Sequence, residues 1–199
     1  MESYLQTHRI AGEKLTPSAV GSFAIERAFT ESGGKADDQV SGLIRRNLEG
    51  FREAGAVLAS SFRRLEDLRF VYSQEGAAFF VALDRANRDS LIGGAGIGPL
   101  HGLPMSEGVG EVRDLAVEEE YRSRGLGARL LKRCLEEAQR MGYRQIYLET
   151  TPQMEHAQKL FGRFGFRPVK HSAARDGTGA SAVETVTVPC YFVFDTNVS

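Results

Sequence analysis

The chain has 199 residues, enough for one domain or at most two small ones with a real core. Its hydrophobic fraction is 42% and its charged fraction 26%, the balance of an ordinary soluble globular protein. The formal net charge of -1 argues against general nucleic-acid affinity, and no apolar run reaches the ~20 residues that a membrane span needs.

The first fifteen residues, MESYLQTHRIAGEKL, carry no apolar signal core. Two cysteines, Cys134 and Cys190, make no disulfide framework, and both fall in apolar patterns that read as buried. That usage places the protein in a reducing cytoplasm. The histidines His8, His101, His156 and His171 show no metal-ligand spacing, so no metal is expected.

In chain order, 8–11 read as a short edge strand. Thr16-Pro17 reads as an N-cap with Pro at the first helical position, opening a helix to about Phe29 that buries Val20, Phe23, Ala24 and Ala28. Asp37 or Asp38 caps a second helix, with Val40, Leu43, Ile44, Leu48 and Phe51 inward. The stretch 56–72 is compatible with more helix, carrying Arg63, Arg64 and Arg69 on a solvated face. Residues 76–83 and 91–97 form a hairpin across a polar turn. Glycines 93, 94, 96 and 98 in its second strand suggest a bulge or close backbone packing. After a loop over 99–110 comes a central strand ending in Leu115-Ala116-Val117.

A polar turn then leads into Arg122-Ser123-Arg124-Gly125-Leu126-Gly127-Ala128. Leu130, Leu131, Cys134, Leu135, Ala138 and Met141 follow at helical spacing, and Gly142 is a natural stop. Strand, glycine loop and amphipathic helix together are the makings of an anion site, or the two glycines simply make a tight turn. The first helical turn has unpaired N–H groups at the positive end of the dipole. Gly125 and Gly127 let a ligand approach the backbone. Next come a strand at 145–150, a helix begun by Pro152 with Met154, Ala157, Leu160, Phe161 and Phe164 inward, a stop at Gly165, and a strand entry at 166–169. The segment 170–185 reads as a loop, and 187–194 as a last strand in which Pro189 marks an edge or bulge. That apolar edge is where a homodimer would form.

Two motifs then carry a resemblance. Arg122-x-x-Gly125-x-Gly127-Ala128 resembles the acetyl-coenzyme A signature of the GNAT superfamily of N-acetyltransferases. Ala157-x-x-Leu160-Phe161-x-x-x-Gly165-Phe166 resembles the same family's second helix and strand entry. The close resemblance covers about 111–169. It implies an α/β (α+β) fold of one domain over 1–199, with a mixed, mostly antiparallel central sheet and helices on both faces. It also implies that the strands ending in Asp114–Val117 and Gln145–Thr150 splay apart, with the pantetheine arm entering the gap.

The implied activity is transfer of an acetyl group from acetyl-CoA to a primary amine of a small molecule or peptide, by direct attack with general-base help. Residues Arg122, Ser123, Arg124, Gly125, Leu126, Gly127 and Ala128 would bind pyrophosphate, mainly through amides. Leu115, Ala116 and Val117 would pair with pantetheine. Arg129 and Lys132 are candidates for the 3′-phosphate or a solvated helix face. Glu111, eleven positions before Arg122, is the favoured base, with Asp114 second. Period-2 alternation puts Glu111, Arg113, Leu115 and Val117 on one face and Val112, Asp114 and Ala116 on the other, unless a bulge intervenes. Two departures stand out. Phe161 occupies the position where the family usually has an acid tyrosine, which leaves His156, Tyr147, Tyr121 or water for that role. Met154 stands where an Asn often meets the cofactor.

A noncatalytic acyl-CoA binding or sensing module on the same fold is the rival reading. A dinucleotide binder would need a third glycine, or a Lys-Ser/Thr after the loop, and Leu130 with the residues after it supplies neither.

Overall fold

The computed structural model describes residues 23–30, 37–49, 61–87, 89–101, 103–169 and 190–196. Its elements run β1 (Phe23–Arg27), α1 (Asp37–Glu49), α2 (Leu68–Ser73), β2 (Ala78–Asp84), β3 (Ser90–Pro99), β4 (Val109–Val117), α3 (Leu126–Arg140), β5 (Gln145–Thr150), α4 (Glu155–Arg163), β6 (Arg167–Pro168) and β7 (Cys190–Asp195). One sheet carries all the strands in the order β1-β2-β3-β4-β5-β7-β6. Every pairing is antiparallel except β4 with β5. This is the mixed, mostly antiparallel sheet expected.

Helices cover both faces. Ala78, Phe80 and Ala82 of β2, Ile97 of β3 and Ile146 and Leu148 of β5 pack with Leu130, Leu131, Cys134 and Ala138 of α3 and Phe161 of α4. Phe79, Val81 and Leu83 point the other way, onto Val40, Leu43 and Ile44 of α1 and Leu68 and Tyr72 of α2. A strand such as AFFVALD is apolar at successive positions because both of its faces are buried. Each fully buried Leu, Ile or Phe here is worth about 1.5–3 kcal/mol against exposure.

The long helix starts and stops on glycine. Gly125 (φ 78) is the N-cap of α3 and Gly142 (φ 84) follows its C-cap. Tyr143 N–H then bonds back to Ala138 O at 3.0 Å. Gly165 (φ 86) ends α4 in the same way, with Phe166 N–H on Phe161 O at 3.1 Å. In both cases the left-handed residue lets the chain satisfy a last-turn carbonyl.

Some expectations need correction. Phe23–Arg27 is a strand and not the end of a helix. Its apolar residues fit helical spacing, but five consecutive residues pair with Phe80–Asp84 of β2, and that ladder decides the local structure. Of the stretch 56–72, the described residues from 61 onward form a helical turn at 61–64 and most of the short α2, and 56–60 lie outside the described residues. The expected strand at 8–11, the cap at Thr16-Pro17, the loop at 170–185 and Pro189 lie outside the described residues.

The most consequential correction is in β4. Gly96 pairs with Arg113 and Gly94 with Ala116, so Asp114 and Leu115 together face Ala95. Asp114 adopts φ 56 at this bulge. The extra residue shifts the alternation. Leu115 and Val117 join Val112 on the α3 side, while Ala116 turns to the α1 side. The simple period-2 assignment is therefore reversed after Arg113.

Candidate functional site

β4 and β5 run side by side only at first. Val109, Gly110, Glu111 and Val112 pair with Gln145, Ile146, Tyr147 and Leu148. Beyond that point the strands part, although β4 continues to Val117 and β5 to Thr150. The splay anticipated from the resemblance is therefore present. A cleft of about 110 Å³ opens in the gap, lined by Glu111 to Ala116 of β4, Leu148 to Thr150 of β5, Asn47 and Arg64 from the α1 side and Met154, Ala157 and Phe161 from α4.

The backbone at the end of β4 is shaped for an anion. A 3-10 turn at Glu119–Tyr121 leads to Ser123 at φ 59 and Gly125 at φ 78, and α3 begins at Leu126. The first helical bond runs from Arg129 N–H to Gly125 O, so the amides of Leu126, Gly127 and Ala128 stand outside the ladder. No side chain caps them and no acid lies in the first turn. An ideal Cβ on Gly127 would meet only Leu160 at 3.6 Å and Val117 at 3.9 Å, which is ordinary contact. Packing does not require glycine there. Thr150 Oγ1, buried at the end of β5 on the cleft, has no hydrogen-bond partner. These features suit the pyrophosphate and arm of acetyl-CoA.

Side chains hold this loop from behind. Arg122 donates from Nε to Val117 O (3.1 Å) and from Nη2 to Asn47 Oδ1 (3.0 Å). Asn47 Oδ1 also accepts the Val117 N–H at 3.3 Å. The Arg124 guanidinium lies 5.5 Å from the Tyr121 ring centre, and Tyr121 donates to Asp84 at 2.7 Å.

The α1–α2 wall is an ionic network. Asp114 has a fully buried side chain that accepts from Arg64 Nε (3.1 Å), Arg64 Nη2 (3.0 Å) and Tyr72 Oη (2.5 Å). Burial works against the Arg64 charge, but the adjacent Asp114 more than offsets it and holds its pKa above the ordinary value. Burial, then the Asp114 charge, push the Tyr72 hydroxyl up. Gly96 makes this possible, because a Cβ there would lie 2.3 Å from the Tyr72 ring. Arg113 stacks over Tyr72 at 5.4 Å and reaches Glu111 at 3.5 Å.

Glu149 stands apart. It is half-buried on the cleft and, among the described residues, accepts a hydrogen bond from Tyr191 Oη at 3.4 Å. Burial first, and the nearby Glu111 charge second, raise its pKa.

Of the residues singled out from sequence, Glu111, Asp114, Leu115, Ala116 and Phe161 line the cleft. Val117 and 122–128 follow Ala116 along the chain and are not among the lining residues. His156 is exposed on α4 and does not line the cleft. Arg129 stacks on Phe23 at 4.4 Å and Lys132 pairs with Glu136 at 3.9 Å. Arg63 is exposed and Arg69 pairs with Asp37, but Arg64 is not solvated as expected. Sequence reading missed Glu149, Asn47, Tyr72 and Tyr191. The signal for Glu149 was available: in QIYLET, Ile146 and Leu148 are the core face, which puts Tyr147 and Glu149 on the other.

The model of the Acetyltransferase (GNAT) family matches residues 46–166. The chain belongs to that family. It is 31% identical over 113 residues to the uncharacterized N-acetyltransferase YjgM of Escherichia coli (strain K12); the match spans 57% of this chain and 65% of that protein. The fold is that of an acetyltransferase of the GNAT family from Staphylococcus aureus Mu50, with TM-score 0.64, 17% identity and coverage of 87% and 99% of the two chains. It is also similar to yncA from Salmonella typhimurium, solved with its cofactor acetyl-CoA, with TM-score 0.60, 16% identity and coverage of 90% and 96%. Among the described residues no helix is long and apolar enough to cross a membrane, and no group of His, Cys, Asp and Glu is arranged to hold a metal ion.

Proposed function

We propose that this GNAT chain is an N-acetyltransferase that moves the acetyl group of acetyl-CoA to a primary amine of a small molecule or peptide. The observation that carries this reading is the gap between β4 and β5 leading to the uncapped first turn of α3. Bound there, acetyl-CoA supplies an activated acetyl thioester. The amides of 126–128 hold its pyrophosphate, with Arg124 presented by Tyr121. The open edge of β4 at Leu115 and Val117 orients the arm, which competes with Asn47 for the Val117 N–H. Phe161, packed 5.9 Å from Phe192 and 6.1 Å from Phe166, offers an apolar wall and no proton.

The acceptor must lose a proton, because a typical alkylammonium has a pKa near ~10. Three carboxylates line the cleft. Asp114 has both oxygens occupied and positions Arg64 and Tyr72. Glu111, the favoured base from sequence, is matched by Arg113. Among the described residues Glu149 has no guanidinium partner, and its raised pKa makes it a better proton acceptor at neutral pH. Glu149 therefore takes the proton, and Glu111 acts on it through its charge.

Calorimetric titration with acetyl-CoA, repeated on Gly125→Asp, tests the cofactor site. Binding in the micromolar range or tighter that the variant abolishes supports it; a folded wild type that binds nothing sinks it. The vacant acid position at Phe161 keeps a second reading, a noncatalytic acyl-CoA sensor. A sensor binds acetyl-CoA but releases no thiol with any amine.

A further inference from the structure

The geometry points to an acceptor that is a primary alkylammonium carrying no carboxylate beside its nitrogen, seated against Glu149 and the ring of Tyr147. This deepens the acetyltransferase reading and rests on it.

Charge pairing supplies the first half of the case. Among the described residues lining the cleft, the guanidiniums are those of Arg64 and Arg113 and the carboxylates are those of Glu111, Asp114 and Glu149. Arg64 is bidentate on Asp114. Arg113 pairs with Glu111 and is turned toward β3, where its Nη2 lies 2.5 Å from the position of a Cβ on Gly98. One carboxylate, Glu149, is left over. An approaching cation gains from that surplus, whereas an approaching carboxylate meets it unmatched.

Register supplies the second half. Tyr147 pairs with Glu111 across β4 and β5, and Glu149 pairs with Tyr191 across β5 and β7. Ile146 and Leu148 are buried against α3 and α4, so Tyr147 and Glu149 share the opposite face. Directly opposed side chains lie about 5 Å apart at Cβ. One aromatic ring and two carboxylates thus share one small area of the sheet where the strands part. Tyr147 is half-buried, two residues from the cleft-lining Glu149 on the same strand face. A desolvated ammonium gains from a tyrosine face as well as from a carboxylate.

The test compares n-pentylamine with norleucine, which differ only by the α-carboxylate, using acetyl-CoA and detection of the released thiol. The expected kcat/KM is at least about tenfold higher for pentylamine, the scale of one unmatched charge contact. Butyltrimethylammonium, which cannot react, should inhibit competitively against pentylamine. Tyr147→Leu should raise its inhibition constant about tenfold, and Tyr147→Phe, which keeps the ring, should restore it. Acetyl-CoA affinity should be unchanged in both variants. Preference for norleucine would overturn the inference and make Arg113 the partner of its carboxylate. Failure of the quaternary ammonium to inhibit would overturn it too. In either case acetyl-CoA binding and amine-dependent thiol release would leave the acetyltransferase reading standing. A protein that binds acetyl-CoA and acetylates neither amine overturns this inference, while the acetyltransferase reading falls only when no amine, peptide amines included, releases thiol.

Discussion

On the α3 side of the cleft the polar groups are largely backbone, and they stand outside the ladders of helix and sheet. On the α1–α2 side they are side chains, and most are matched to one another. Among the described residues the amides of 126–128 and the Thr150 hydroxyl have no hydrogen-bond partner; Arg64, Asp114 and Tyr72 have theirs. The bulge at Asp114 separates the two sides, sending Leu115 and Val117 one way and the Asp114 carboxylate the other. A phosphate-bearing ligand is served by fixed dipoles, which need no side-chain ordering. Proton transfer needs a titratable group in a rigid frame, and the buried ion pairs are that frame. Glu149 is the exception on its side, and the comparison makes it the group to remove first.

Glu149→Gln should cut kcat/KM by about 10²–10⁴-fold, the usual scale for losing a general base, with acetyl-CoA affinity unchanged. The pH profile sharpens the point. The Glu149 pKa is raised, so its ionised form is lost as pH falls through that raised value. The acid limb of kcat/KM should therefore lie above the range of an ordinary glutamate, and the variant should lack that limb. The sign for stability is opposite. A raised native pKa means the folded state holds the proton more tightly, so this group favours folding as pH drops between the unfolded and folded values. A variant that keeps full turnover and the same acid limb would return the base role to Glu111.

The matched pairs should answer to stability as much as to rate. Asp114→Ala leaves Arg64 buried without its counter-charge and should cost about 3–5 kcal/mol in urea unfolding. Asp114→Asn tolerates the left-handed backbone and keeps one acceptor, so its loss should be smaller. Equal losses would mean that the lost charge, and not backbone strain at the bulge, dominates.

Much of this was legible in the sequence, for reasons that differ by element. α3 has a clean apolar stripe and a glycine at each end, so its limits could be read directly. QIYLET alternates and gave β5 to the residue. β1 was misread because Phe23, Ala24 and Ala28 satisfy helical spacing, while its true state depends on an edge of β2 far away in the chain. The glycines of β3 suggested a bulge, but its place at Asp114 arises from the β3–β4 register, not from either strand alone. Arg64 resembled any surface arginine until Asp114 was placed beside it. Pairings over such separations are tertiary facts, and a one-dimensional pattern does not contain them.

The smallest effect on fold comes from the backbone side, and it separates ligand from packing most cleanly. Gly127 is the second residue of α3, and a methyl group there meets nothing closer than 3.6 Å. Within a helix, Gly→Ala gains about 0.5–1 kcal/mol. Gly127→Ala should therefore leave the urea midpoint unchanged or higher. If the amides of 126–128 hold a pyrophosphate, the same methyl group lies in the path of the ligand and acetyl-CoA affinity should fall about tenfold, as for a 1–2 kcal/mol overpacking cost. Opposite changes in stability and affinity are the signature of a glycine kept for a ligand. A variant that is both more stable and equally good at binding acetyl-CoA would place the pyrophosphate elsewhere, and Ser123 and Arg124 would then be the next positions to change.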